Sequence, residues 1–166
     1  MRSPLFVLTI ALISILLWGC PYKSEIPLGD AIEPVKKEII GSWIPDNMKG
    51  KENPEYYSIE VRDSVHYDVA HFQFNEDEKG YTSKQYVGHS TRIGEKVFLN
   101  LQESGQLEFA IHRLDIWEDK LVLFEVTDNI DEQFKDSKAM QAFFEKNMRL
   151  SFFYNRDEVT LIRKEK

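Results

Sequence analysis

Four histidines, one cysteine and 28 carboxylates are the side chains of this chain best suited to chemistry. His66 and His71 differ by five positions, so on an unbroken strand they face opposite sides. His89 and His112 stand apart from both and from each other. A zinc site needs three or four converging ligands, and no H-x-H or H-E-x-x-H pattern supplies them. The histidines therefore read as surface or hydrogen-bonded residues. Asp128, Asp131, Glu132 and Asp136 form an acidic loop. A calcium-binding EF-hand loop needs Gly at its sixth position and Glu at its twelfth. Counted from Asp128, those positions hold Gln133 and Ala139. Helix capping and solvation explain the loop, and Glu76-Asp77-Glu78 reads as a solvated hairpin tip. No G-x-S-x-G elbow and no phosphate-cradling glycine loop is present. A glycosidase carboxylate pair leaves no fixed spacing in sequence, and nothing here raises one above background. The lone cysteine, Cys20, rules out an internal disulfide, a C-x-x-C redox pair and a thiolate zinc cage. A net charge of −7 over 166 residues argues against a nucleic-acid-binding face. The expectation is a non-enzymatic protein with no catalytic residue, metal or cofactor.

The start of the chain is a separate message. Arg2 is the only charge before Lys23, and Leu5–Trp18 contains just Thr9 and Ser14 as polar residues. Fourteen helical residues span about 21 Å at ~1.5 Å each, short of a ~30 Å bilayer core. One positive residue, a short apolar run and small Gly19 fit a secretory signal peptide over residues 1–19. Leu17-Trp18-Gly19-Cys20 resembles the lipobox of bacterial lipoproteins, with Trp18 where a small or β-branched residue is more usual. The resemblance implies cleavage between Gly19 and Cys20 and diacylglycerol attachment at Cys20. The partner would be a membrane, held through acyl chains, and the location a bacterial cell envelope, with the outer membrane favoured over the inner.

Residues 20–37 carry Pro21, Pro27 and Pro34 among isolated aliphatics and charges, with no helix or strand period. They read as a flexible tether that holds an acidic domain away from anionic headgroups. Residues 38–166 make one domain of short β-prone runs separated by turns. Tyr57, Ile59 and Val61 alternate with Ser58, Glu60 and Arg62, a period of two. Phe72 and Phe74 interrupt the alternation of 65–74 and suggest a bulge. Later strands are expected over 81–91, 96–101, 106–112, 121–126, 150–154 and 158–164. One segment differs. Asp136 or Ser137 caps a helix to about Asn147, with Met140, Phe143 and Phe144 on one face. Sequential antiparallel strands of nearly even spacing predict an all-β fold, an up-and-down antiparallel β-barrel of about eight strands with one late α-helix.

Gly41-Ser42-Trp43 resembles the G-x-W that opens the first strand of lipocalins. In that family the Trp closes the barrel base and an Arg of the last strand packs across it. Arg163 occupies the last expected strand, so the resemblance makes Gly41, Trp43 and Arg163 a structural kernel. The chain is similar to the small lipocalin-like lipoproteins of Bacteroidetes-type bacteria.

Parity selects a lumen. Tyr57, Ile59, Val61, Val97, Leu99, Leu107 and Phe109 form the apolar alternate sets, while Glu60, Lys96 and Glu108 fall among their partners. Burying an unpaired charge is costly, so the first set is expected inside, lining any ligand pocket. Two functions compete. One is a lipid-anchored binding module for a small apolar or amphipathic ligand. The other is an envelope structural or protein-interaction lipoprotein whose lumen is packed shut. A pocket of ~300 Å³ or more separates them.

Overall fold

The computed structural model describes residues 22–155 and 158–165. The expected leader (1–19), its expected cleavage site and Cys20 lie outside the described residues.

Nine strands make one sheet: β1 (Lys23–Ser24), β2 (Gly41–Pro45), β3 (Tyr56–Val61), β4 (His66–Asn75), β5 (Gly80–Ile93), β6 (Lys96–Glu103), β7 (Phe109–Trp117), β8 (Lys120–Glu125) and β9 (Val159–Arg163). From β2 to β9 each strand pairs antiparallel with the next, and β9 returns to β2 through Trp43↔Arg163, Ile44↔Ile162 and Pro45↔Leu161. The result is a closed eight-strand up-and-down barrel, which leaves no free edge around its wall. Turns alternate between its ends. Those after β3, β5 and β7 lie at one end, here the base, with Gly41 and Arg163. Those after β2, β4 and β6 lie at the other, the mouth.

The single helix, α1 (Ser137–Asn147), starts where the Asp136 side chain accepts a hydrogen bond of 2.7 Å from the Ala139 amide. That cap satisfies one of the amides a helix start leaves unpaired. Met140 and Phe144 are fully buried against the outside of the barrel. With Phe98, Ile111, Val126 and Phe153 they form an outer core, separate from the lumen core of Trp43, Ile59, Tyr67, Leu99, Leu114 and Leu161. Phe98 and Leu99 thus make the middle of β6 apolar on both faces.

Three expectations change. Residues 22–35, expected within the flexible tether of 20–37, are a strap bound along the barrel. β1 pairs with the mouth end of β7, beyond the point where β8 stops. Leu28 is fully buried, and its amide donates to Asn100 Oδ1 at 2.6 Å. Gly29 O contacts His89 Nε2 at 2.8 Å, and Pro27 O accepts from Ser137 Oγ at 2.7 Å. The prolines deny these residues a regular period, so side chains of the barrel and α1 satisfy their backbone instead. Second, β4 runs in unbroken register with β3 and β5, without a bulge. Phe72 and Phe74 keep the alternation and face outward, where Phe72 stacks on Tyr56 with ring centroids 4.4 Å apart. Third, 150–154 is not a strand. Ser151–Phe153 is a 3-10 turn, and only Tyr154 bridges to the sheet, at Val126.

At the base, Trp43 is 1% exposed and its Nε1 donates to Ile39 O at 2.8 Å. The Arg163 guanidinium lies 3.9 Å from the Trp43 ring centroid and donates to Ile40 O and Glu38 O. Gly41 has φ +131°, and a Cβ there would collide with Arg163 Nη1. Only glycine fits that backbone and that close approach.

Trp43→Ala should cost about 3–5 kcal/mol in denaturant unfolding, the range for large aromatic truncations in cores. Asn100→Ala should cost about 1–3 kcal/mol, because it strands the buried Leu28 amide. Hydrogen exchange should then speed up selectively at residues 24–30, and an unchanged strap would count against its attachment through Asn100.

Candidate functional site

The lumen is not filled. A cavity of about 430 Å³ lies between the base and the mouth. Ile39, Ile59, Val69, Leu99, Leu121 and Leu161 give it an apolar floor and wall. Nearer the mouth the lining turns polar: Tyr57, His71, Lys84, Tyr86, Glu103, Gln106, Glu108, His112, Glu125 and, from the strap, Lys23. Gly88 is an inward position of β5, and a Cβ there would approach Leu101 Cδ2 to 2.7 Å. Its missing side chain lets Leu101 lie against the wall and preserves open volume.

Of the seven residues expected to line a pocket, Tyr57, Ile59 and Leu99 do so. Val97 keeps the inward parity of β6 but lies below Leu99, beside Leu114 near the base, outside the cavity. Val61 ends β3 at the base and is 52% exposed. Leu107 and Phe109 are corrections of register. Leu107 is 78% exposed in the mouth turn, and Phe109 faces outward against His89, centroids 6.2 Å apart. Pairing of Leu99 with His112 and of Leu101 with Ala110 fixes the even residues of β7 as inward. Glu108, expected outside, therefore lines the cavity, whereas Glu60 and Lys96 do not. The physical reason is the outer core. Ile111 is apolar because it packs under α1 and the strap, so on β7 the apolar parity marks the outer face.

Burial and charge set the states of the lumen groups. Burial, then the charge of Glu55 and the neighbouring Tyr86, pushes the Tyr57 hydroxyl up to about 12. Burial and then Glu103 raise Tyr86. His112 lies one inward step above fully buried Leu114, and burial pushes its pKa down to about 4. At neutral pH the cavity thus presents two protonated phenols and one neutral imidazole. Among the described residues none of these three groups has a protein hydrogen-bond partner. His71 stacks flat on Tyr57 with centroids 4.2 Å apart, and its Nε2 lies 3.3 Å from Glu55 Oε2. Glu55 comes from the loop between β2 and β3, so that loop fixes the rim. Lys23 and Glu108 pair loosely at 3.9 Å across the mouth.

The sequence did not place Lys84, Tyr86 or His112 in the lumen, and His112, expected as a surface or hydrogen-bonded residue, lines the cavity instead. The available signal was the period-two series Lys84-Tyr86-Gly88-Ser90, which mixes charge, ring and small residues as a partly wet lumen wall does. Among the described residues no group of three or more His, Cys, Asp or Glu could hold a metal ion. No family model matches the chain, and no curated protein and no solved structure matches it either.

Folding stability should fall in mild acid. The folded pKa of His112 lies below its ordinary 6.5, so the unfolded chain takes up the proton first. Its contribution is full above about pH 6.5 and is lost as pH falls toward 4. The remaining accessible surface of His112 belongs to the cavity, which tempers the penalty to about 1–3 kcal/mol. His89, also lowered by burial, acts with the same sign. Urea midpoints at pH 7.5 and 5.0 measure this, and His112→Gln should flatten the difference.

Proposed function

We propose that this chain is a lipid-anchored envelope lipoprotein whose lipocalin-like barrel binds a small apolar or amphipathic molecule without transforming it. The observation that carries this reading is the cavity of about 430 Å³, closed and apolar at the base and polar at the mouth. It exceeds the ~300 Å³ at which ligand pockets begin. The competing interaction role presumes a packed lumen, and this volume speaks against that premise. The Gly41–Trp43–Arg163 base supports the likeness to lipocalins. The Leu17–Cys20 lipobox supports the anchor, and through it a place at the outer membrane.

The strap changes how such an anchor would orient the barrel. Lys23 stands at the mouth, three positions after Cys20. Whatever the conformation between them, three residue steps reach at most about 11 Å. Acyl chains on Cys20 would therefore leave the protein beside the mouth. The mouth then faces the bilayer at close range, in place of a domain held off on a long tether. A ligand of membrane origin would enter without crossing the base.

Native mass spectrometry of protein extracted from its own membranes should show a retained small molecule, and an empty barrel under gentle extraction counts against the binding role. Cys20→Ser should leave an unprocessed precursor without acyl label; normal processing would remove the anchor. Trp117 ends β7 at the base and is 71% exposed. Brominated phospholipids should leave its emission unquenched, and strong quenching would mean that the base meets the membrane.

A further inference from the structure

The three polar groups inside the cavity say what kind of head group the ligand carries. This inference rests on the binding role above and specifies it. Tyr57, Tyr86 and His112 project from β3, β5 and β7 onto one cavity, and none bonds to another described side chain or backbone group. All three are half-buried and open onto the cavity, with the apolar floor of Ile59, Val69 and Leu99 below them. On the outer face of the same strands Asn100 bonds to Leu28, His89 and Thr91 together. Three donors that converge from separate strands on one cavity, above an apolar floor, offer a ligand's polar end its partners.

Charge limits what that can be. The carboxylates of Glu55 and Glu103 stand close enough to act on Tyr57 and Tyr86 respectively, and Glu108 and Glu125 line the same wall. A ligand carboxylate beside the phenols would meet this negative field in a region of low dielectric. The opposing charges are Lys23, already shared with Glu108, and Lys84 beside His71 at the rim. We propose that the cavity takes an uncharged amphiphile, with its hydroxyl or carbonyl oxygen held by Tyr57, Tyr86 and His112 and its apolar body on the floor, and that it rejects the matching carboxylate. A phenol and a neutral imidazole can each donate to such an oxygen, and the imidazole's other nitrogen can accept from a hydroxyl. At about 30 Å³ per water in the liquid, the cavity equals roughly fourteen waters, room for a ten-carbon chain and its head.

Three probes of one chain length test this: decan-1-ol, decanoate and decylammonium, titrated calorimetrically at pH 7.5 into the purified full chain. Decan-1-ol should bind at least about tenfold more tightly than decanoate. Tyr57→Phe, Tyr86→Phe and His112→Leu should each weaken decan-1-ol about 2–10-fold, the effect of one lost hydrogen bond, while leaving the weak decanoate affinity nearly unchanged. Unaltered melting curves of the two Phe variants would exclude misfolding as the cause. Decanoate binding as tightly as the alcohol, and lost in Lys84→Gln, would overturn the inference and relocate the head group to the rim, with the binding role intact. Tightest binding of decylammonium would overturn it in favour of the acidic wall. Phe variants that bind decan-1-ol normally would also overturn it. If none of the three probes binds, the binding role itself falls.

Discussion

The contact between Trp43 and Arg163 joins the first strand of the barrel wall to the last. Arg163 reaches carbonyls 123 and 125 residues away in sequence, at Ile40 and Glu38, and its planar head covers the Trp43 ring. Those carbonyls, just before β2, would otherwise be unpaired at the base. Gly41 leaves the space through which the guanidinium passes. Because this seam closes the sheet, every residue of every wall strand is committed to lumen or exterior by its parity. Because the seam also plugs one end, the lumen is a cup with one entrance. Closure at the base leaves the mouth as the way into the cavity.

Both faces of the wall carry polar groups. Outside, His89, Thr91 and Asn100 are buried; His89 and Asn100 bond to the strap, and Thr91 accepts from Asn100. Inside, Ser90 sits near Tyr67, whose hydroxyl accepts from the Lys36 amide at 2.7 Å, so the base is satisfied too. Tyr57, Tyr86 and His112 open onto the cavity above the apolar floor, whereas outside it Arg113 Nε is buried without a hydrogen-bond partner and lies against the Phe124 ring.

Much of the fold was legible in the sequence, and the reasons are local. β3 is wet on its outer face, so Ser58, Glu60 and Arg62 reveal the inward set directly. The helix announces itself by the Asp136 cap and the spacing of Met140 and Phe144. Trp43 and Arg163 were findable only through a resemblance, since no spacing rule links residues so far apart. The lumen was legible in part. Where α1 and the strap cover β7, apolar alternation reports the covered exterior, which is why Leu107 and Phe109 pointed the wrong way. The strap itself escaped because its order comes from partners distant in sequence, such as Asn100 and Ser137, and not from any period of its own. The lumen also carries polar side chains toward its mouth, against the rule that inward means apolar, and this hid His112.

The strap ties the rim of the cavity to its floor. β1 continues the wall above β8, so Lys23 belongs at once to the cavity rim and to the arm that leads back toward Cys20. From there the chain runs down the outside of the barrel, bound to His89 and Asn100, to Val35 at the base, where its amide donates to Ser64 O at 3.0 Å. It then turns through Lys37–Ile39 into the floor of the cavity and rises as β2. One continuous segment thus forms part of the rim, clasps the outer core and closes the floor. A long free tether would separate where the protein is held from where it binds. A docked strap removes that freedom, and the entropy lost in ordering it is offset by burial of Leu28 and Tyr22 and by hydrogen bonds to the wall. Such an arrangement is worth its cost when the direction of the mouth matters, as it would for a barrel anchored through Cys20 in the way proposed above.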